Sequence, residues 1–386
     1  MAGVVYFDNP DTLSGGWCSV DGEKATRFDS VSTLNPQVMW FTNASFTSFQ
    51  SHRLSCSSHI RGENFFKLSL SAIASEVDIN AGESIPVVVE TISGILSRVI
   101  ELTTTCFPGI TFGFSLSDSI YNYLNLRDQQ NDPAAQYQPQ FQSAYQDNSV
   151  VQCSQWSPGD EQVRLIPNRV SYAEMLLSYP VPTGSLRECN QPMQVEEFLS
   201  LDHPAIAQCE ISMASAINPQ LMAFDSYQSG TAVIREWASQ PEIHFLHAGG
   251  AKIKIHRTIQ SSGSDVMRVL PAELTSSVFA RSSYSAGLLA ENIVNALMSK
   301  RSMRSASKQS RTKYFFSRRA AHLNSVDRML SFSISNQLQE CGFRVTRYGF
   351  GGVTLRASAE EIPRIMSEGA DFGFMLLSTS KLGKDG

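Results

Sequence analysis

The sequence predicts an α+β protein of mixed short strands and helices, ending in a C-terminal sheet with helices packed on one face. Three observations predict it. Short apolar runs with strand-like composition stand near both ends, at Val4–Phe7, Val38–Phe41, Phe343–Tyr348 and Val353–Arg356. Helix-spaced apolar stripes lie between them, as in Leu289, Ile293 and Leu297. No internal repeat is visible, and strands and helices follow no strict alternation.

The elements follow in order. Residues 1–127 form an N-terminal α+β region. Its first 80 residues mix short apolar patches with Ser, Thr, Gly and Asn, which predicts strands and turns, including Phe65–Leu70. A buried central helix follows: Pro86 stands in its first turn, and Val88, Ile92, Ile95, Leu96 and Val99 spread over a wide apolar arc. Residues 128–158 hold nine Gln with Pro133 and Pro139, which predicts a long loop or an arm. Tyr137, Phe141, Tyr145 and Trp156 are its candidate anchors on a neighbouring subunit, because aromatic side chains dominate interface energetics.

Residues 159–240 predict short helices, Tyr172–Ser178 and Val195–Leu201, broken by Pro180, Pro182 and Pro204, with another helical candidate near Ile234–Ala238. In the last region, 241–386, Gly249-Gly250 between Ile243–His247 and Lys252–Arg257 predicts a β-hairpin. Strand geometry would put Lys252, Lys254 and His256 on one face. A helix spans Leu288–Met298, a loop 299–313, and a second helix carries Leu323, Val326, Leu330, Ile334 and Leu338 up to Gly342. Two strands turn at Gly349–Gly352. Ser358 and Glu361 form a capping box for a short helix that Gly369 closes, and Phe372–Leu377 is the last strand.

Charge is the strongest functional signal. Residues 1–250 hold 11 basic and 26 acidic residues, whereas 251–386 hold 20 basic and 10 acidic. Eight of the 31 basic residues lie between Lys300 and Arg319: Lys300, Arg301, Arg304, Lys308, Arg311, Lys313, Arg318 and Arg319. Tyr314 and Phe315 sit inside this run, and cations interleaved with aromatics suit single-stranded nucleic acid, where phosphates pair and bases stack. These residues, with Lys252 and Lys254, are the candidate nucleic-acid contacts, RNA before DNA.

The seven cysteines are odd in number, widely spaced and without a CxxC pair, so no disulfide framework is expected. The N-terminus has neither a basic region nor an apolar core of a secretory signal, and no run approaches a membrane span. A cytoplasmic protein is expected, in a host cytoplasm or virion if viral. His52, Cys56 and His59 have zinc-ligand chemistry but no fourth ligand, so no metal is expected. Ser283–Gly287 resembles a nucleophile elbow, yet the order of acid and histidine downstream fails. No phosphate-binding loop is present, and Gly349–Gly352 joins two strands, so no cofactor is expected.

Charged residues make up 17% of the chain, a composition suited to extensive protein contact. Together these features lead to a non-enzymatic, self-assembling structural protein in contact with nucleic acid, such as a viral capsid or clamp component. The alternatives are a nucleic-acid-processing or hydrolytic enzyme with dispersed catalytic residues, and an adaptor whose basic loop docks an acidic protein.

Overall fold

The computed structural model describes residues 1–45, 48, 60–61, 65–66, 68–77, 79, 83–124, 136–145, 161–212, 232–266, 270–276, 283–298, 301–303, 313–315, 317–349, 352–371 and 374–381. The strands are β1 (Ala2–Asn9), β2 (Ser14–Val20), β3 (Thr26–Phe28), β4 (Met39–Thr42), β5 (Ile60–Arg61), β6 (Glu161–Pro167), β7 (Pro180–Cys189) and β8 (Ala205–Ser212). They continue with β9 (Ala232–Ser239), β10 (Lys252–Val266), β11 (Arg301–Met303), β12 (Lys313–Phe315), β13 (Arg344–Gly349), β14 (Gly352–Ala357) and β15 (Phe374–Lys381). The helices are α1 (Leu70–Glu76), α2 (Ile85–Cys106), α3 (Leu116–Tyr123), α4 (Gln138–Tyr145), α5 (Arg169–Leu177) and α6 (Val195–Leu199). After them come α7 (Gln240–Ala248), α8 (Ala272–Thr275), α9 (Tyr284–Met298), α10 (Arg318–Glu340) and α11 (Ile362–Asp371). The fold class is α+β, as the patterning predicts.

The chain divides into two units, each built from two segments: Met1–Leu126 with Leu270–Ala296, and Arg127–Val269 with Leu297–Gly386. The first unit holds a five-stranded sheet in the order β3-β2-β1-β4-β5. β1, β2 and β3 are antiparallel neighbours, while β4 runs parallel to β1 and β5 parallel to β4. Alternation on β1 sends Val5 and Phe7 into a core with Phe28, Val38 and Trp40. Asn43 ties β4 to β1, accepting from the Phe7 N–H at 2.9 Å and donating to the Phe7 carbonyl at 3.1 Å. α2 buries the stripe Val89, Ile92, Leu96 and Val99 and packs on β1 and β2. Close approach explains Gly22: its φ is +80°, and a Cβ there would lie 3.1 Å from the Gly94 Cα.

The second unit holds two four-stranded antiparallel sheets, ordered β7-β10-β8-β9 and β13-β14-β6-β15. One core joins them. Ala207, Cys209 and Ile255 of the first sheet, Val163, Leu165, Val345, Val353 and Leu355 of the second, and Met329, Phe332 and Leu338 of α10 belong to one buried cluster. α10 begins where Ser317 accepts from the Ala320 N–H at 3.0 Å. Its Arg328, 1% exposed, meets the fully buried Glu242 of α7 at 2.9 Å and donates to the Tyr145 carbonyl at 3.3 Å. Tyr172 of α5 donates to Asp327 at 2.8 Å, which ties a third helix to α10.

Three local expectations are corrected. Residues 240–248 form a helix, not the first strand of a hairpin: Pro241 occupies the first turn after Ser239, and Gly250 at φ +85° follows the helix end. His244 and His247 therefore share a helix rather than a strand. Residues 232–239, read as helical near Ile234, are the edge strand β9. The Gln-rich stretch is not wholly a loop, because α4 folds there. Phe141 and Tyr145 are buried in a cluster with Ile206, Trp237 and Ile259, and Tyr137 packs against it. The buried area of Phe141 and Tyr145 serves the unit's own core, and Tyr137 is partly buried against it. Trp156 lies outside the described residues.

Candidate nucleic-acid interface

The candidate site is the face of the second sheet that points away from the shared core. Along β6, Val163 and Leu165 point into the core, so Gln162 and Arg164 point away from it. Along β14, Val353 and Leu355 are buried in the core, so Gly352, Thr354 and Arg356 share the other face. β13 would present Thr346 there by simple alternation. A bulge between Val345 and Arg347, where Thr346 Oγ1 donates to the Thr354 carbonyl at 3.1 Å, presents Arg347 instead.

Register then aligns the cations. Arg347 pairs with Thr354, Thr354 with Arg164, and Arg164 with Ser378, so one rung crosses all four strands. Arg347 and Arg164 are both exposed and stand two strands apart, about 10 Å between backbones. The next rung carries Arg344, Arg356 and Gln162. Arg344 is engaged by Glu361 at 3.1 Å. Glu361 also accepts from the Ser358 N–H at 2.7 Å, which is the expected capping box. That backbone hydrogen bond is the main cause of its lowered carboxyl pKa, with Arg344 adding to it.

A groove of ≈ 420 Å³ lies over this face, lined by Arg164, Arg347, Gln162, Thr354, Gly349 and Gly352, with Tyr348. The turn end is narrow: a Cβ on Gly352 would stand 3.3 Å from the Gly349 carbonyl oxygen. Guanidinium groups present five donors in a fork that matches phosphate oxygens, so the arrangement is chemically fit for a polyanion. Among the described residues, no three His, Cys, Asp or Glu side chains gather to hold a metal ion. No described helix is long and apolar enough to cross a membrane.

A second cleft in the same unit, ≈ 510 Å³, has different chemistry. Leu199, Leu201, Phe245, Met329 and Leu330 line it with His322. Burial lowers the His322 pKa to about 4, against a hydrogen bond to the Pro180 carbonyl that raises it, so the ring is neutral at pH 7. No lysine or arginine is among the described residues lining this cleft.

The residues expected to bind nucleic acid are dispersed. Lys300, Arg304, Lys308 and Arg311 lie outside the described residues. Arg301 and Lys313, with Tyr314 and Phe315, fall on β11 and β12, which pair antiparallel where a loop was expected. Arg318 opens α10 and donates to the Gly184 carbonyl, and Arg319 follows it. Lys252 and Lys254 are exposed on β10, with Lys254 3.7 Å from Glu210. A bulge between Ile255 and Arg257 brings Arg257, not His256, into step with them. Of the zinc-type residues, His52, Cys56 and His59 lie outside the described residues. Ser285, the elbow candidate, donates to the Ile95 carbonyl at 3.1 Å.

Arg164, Arg347 and Arg356 were missed. The signal is present in the alternation of Val163-Arg164-Leu165 and of Thr354-Leu355-Arg356, each an arginine at an outward position of a strand.

No family profile matches the chain, and no curated protein matches it. Solved structures do. The chain is similar to Phi29 DNA polymerase complexed with primer-template DNA, at a TM-score of 0.54 and 8% identity, over 92% of this chain and 79% of that one. It is also similar to Phi29 DNA polymerase in an orthorhombic crystal form, at a TM-score of 0.51 and 8% identity, over 95% of this chain and 82% of that one. The fold resembles that of a DNA polymerase. This likeness overturns the expectation of a viral capsid, clamp or virion component. The physical reason for the error is plain: few charges and a basic C-terminal part are properties of a surface, and they do not distinguish a shell subunit from a polymerase-like scaffold.

Proposed function

We propose that this chain handles DNA, binding its phosphate backbone in the arginine groove of the second unit, in a nucleic-acid-processing role. The observation that carries the reading is the rung Arg347–Thr354–Arg164, which sets two exposed arginines on either side of the buried Thr354, on the sheet face turned away from the core. The polymerase-like fold supports it, because one of the similar proteins is described as complexed with primer-template DNA. That neighbour also favours DNA over the RNA expected from the sequence. Phosphate pairing with arginine supplies affinity without base specificity.

The experiment is fluorescence anisotropy with labelled single-stranded and primer–template DNA from 50 to 300 mM salt. Binding should weaken linearly in log salt, by roughly 0.7 per phosphate contact on a single strand. No binding at the lowest salt, or a flat salt response, sinks the proposal.

A second reading, nucleotidyl transfer or nucleolysis, is favoured by the fold likeness alone. Such chemistry calls for divalent ions held by carboxylates. Turnover rests on the likeness alone, whereas binding also rests on the arginine rung, so binding is placed first. Primer extension and nuclease assays with magnesium or manganese test turnover directly.

A further inference from the structure

We infer that the cleft lined by α7 and α10 binds a small uncharged aromatic molecule with one N–H or O–H donor, which His322 receives. This goes beyond the DNA-binding reading and does not depend on it. Two helical stripes build the cleft. His244 and Ala248 stand on one side of α7, and His322, Val326, Met329 and Ser333 on one side of α10, at three- and four-residue spacing. Two contacts pin these helices together. Phe245 of α7 meets Phe332 of α10 edge-on, with ring centroids 5.2 Å apart, and Arg328 meets Glu242 at 2.9 Å. The ≈ 510 Å³ beside them is therefore a formed space, of the size that takes a small ligand.

Of the lining residues that are buried, Pro204, Val326, Met329 and His322, one is polar. His322 is 5% exposed. Its neutral ring has a single N–H, which the Pro180 carbonyl takes. The other ring nitrogen is then an acceptor, and among the described residues no donor meets it. Neighbouring polar groups are engaged: the Gln240 amide donates to the Phe198 carbonyl at 3.1 Å, and His203 meets Ser264 at 3.3 Å. A buried acceptor without a donor costs free energy that a ligand N–H or O–H recovers. His322 also borders a void of ≈ 10 Å³ beside Phe141, Ile259 and Arg318. That void is at most water-sized, so the cleft is where a ligand reaches the ring.

The rest of the cleft selects the body of the ligand. Phe245 and Met329 offer the ring and sulfur contacts that an aromatic ring takes. The lining acid, Asp202, is exposed, and no lysine or arginine is among the described lining residues, so an anion would be buried unpaired. Indole has the required chemistry, a flat apolar body with a single N–H. Benzofuran keeps that shape and lacks the donor. Indole-3-acetate keeps the N–H and adds a negative charge.

The experiment is a ligand-observed NMR titration of the full chain with these three molecules. Indole should bind with a dissociation constant of about 1 mM or tighter. It should bind about threefold to tenfold more tightly than benzofuran, the worth of one hydrogen bond. Indole-3-acetate should bind at least about tenfold more weakly than indole. His322→Leu should erase the preference for indole over benzofuran. Ala248→Trp, at the exposed end of α7, should fill the cleft mouth and abolish indole binding with thermal melting unchanged, which tests the location even where the His322 variant is unstable. Equal binding of indole and benzofuran to the wild type, or a preference that survives His322→Leu, overturns the role of His322. Wild-type indole affinity in Ala248→Trp overturns the cleft. No binding of indole up to about 2 mM overturns the inference as a whole and leaves the DNA-binding reading untouched.

Discussion

The second unit contains two four-stranded antiparallel sheets on one shared core, and both carry basic residues on an outer face. They differ in what stands across the strands. On the first sheet, Lys254 lies 3.7 Å from Glu210 in the next strand, and Arg257 lies 3.6 Å from Glu188. Arg257 also donates to Gln208 at 2.8 Å and stacks over Trp237, 5.2 Å from the ring centroid. Its charge is answered within the sheet. On the second sheet the residue between Arg347 and Arg164 is Thr354, and no carboxylate is among the described residues of the groove. Register, not the count of lysines and arginines, sets which residue stands across the strands from each cation. The sequence draws the eye to Lys252 and Lys254, which lie on the sheet with cross-strand acids.

The largest effect should come from breaking the core that both sheets share. Arg328→Ala removes the cation that meets the buried Glu242, and Glu242→Ala removes the carboxylate that meets the buried Arg328. Removing one partner of a buried pair costs roughly 3–5 kcal/mol. Urea denaturation should show that loss for either variant, with DNA binding falling in step as both sheets loosen. Replacing both by well-packed apolar residues should recover most of the stability. A loss below about 1 kcal/mol for Arg328→Ala would mean that the pair does not tie α7 to α10 in solution.

Acid should act next. His322 titrates near 4 when folded, below the unfolded value of about 6.5, because its burial disfavours the charged ring. The unfolded chain takes up the proton first as pH falls. Stability from the neutral ring is therefore complete above about pH 6.5 and lost progressively toward pH 4, by up to about 3 kcal/mol. Urea midpoints at pH 7.5, 6, 5 and 4 measure this. His322→Asn should flatten the slope over that window, and an equal slope in wild type and variant would discard the assignment.

The contrast between the sheets is sharpened most directly by matched charge changes. Arg164→Glu should weaken DNA binding more than about tenfold, since it removes a proposed phosphate partner and adds repulsion beside Arg347 and Thr354. Lys254→Glu, on the sheet with cross-strand acids, should change affinity by no more than about twofold at 150 mM salt, where screening is strong beyond about 8 Å. Equal losses from both variants, measured in the same anisotropy assay, would erase the distinction between the faces.

Much of this architecture was legible because it is local. The β13–β14 hairpin, the end of α10 at Gly342 and the Ser358–Glu361 cap follow from period and turn chemistry within a few residues. The groove was not legible, because its other wall is distant. β6 ends at Pro167, yet it pairs with β14 from Val353 onward and with β15 from Phe374 onward. No short-range pattern specifies such a partnership. The bulge that presents Arg347 is equally silent, since Thr346 and Arg347 read as alternating residues until Thr346 Oγ1 finds the Thr354 carbonyl. The hairpin expected at Gly249-Gly250 failed for the opposite reason. A strong local turn signal hid the Pro241 start of a helix.

The smallest effect tests whether neutralisation is what separates the faces. Glu361 holds Arg344 at 3.1 Å on the rung next to Arg347 and Arg164. Glu361→Gln keeps an acceptor for the Ser358 N–H but removes the charge that engages the arginine. The helix start should lose at most about 1 kcal/mol, because a neutral amide still closes the capping box. Arg344 would then lose its ion pair on a face that also carries Arg164, Arg347 and Arg356, and DNA affinity should rise about twofold to threefold at 50 mM salt, with a log–log slope steeper by up to about 0.7. The same change on the first sheet, Glu210→Gln beside Lys254, should leave DNA affinity unchanged if the strand binds the other sheet as proposed. A gain at Glu210→Gln equal to that at Glu361→Gln would move the interface from one sheet to a general basic surface.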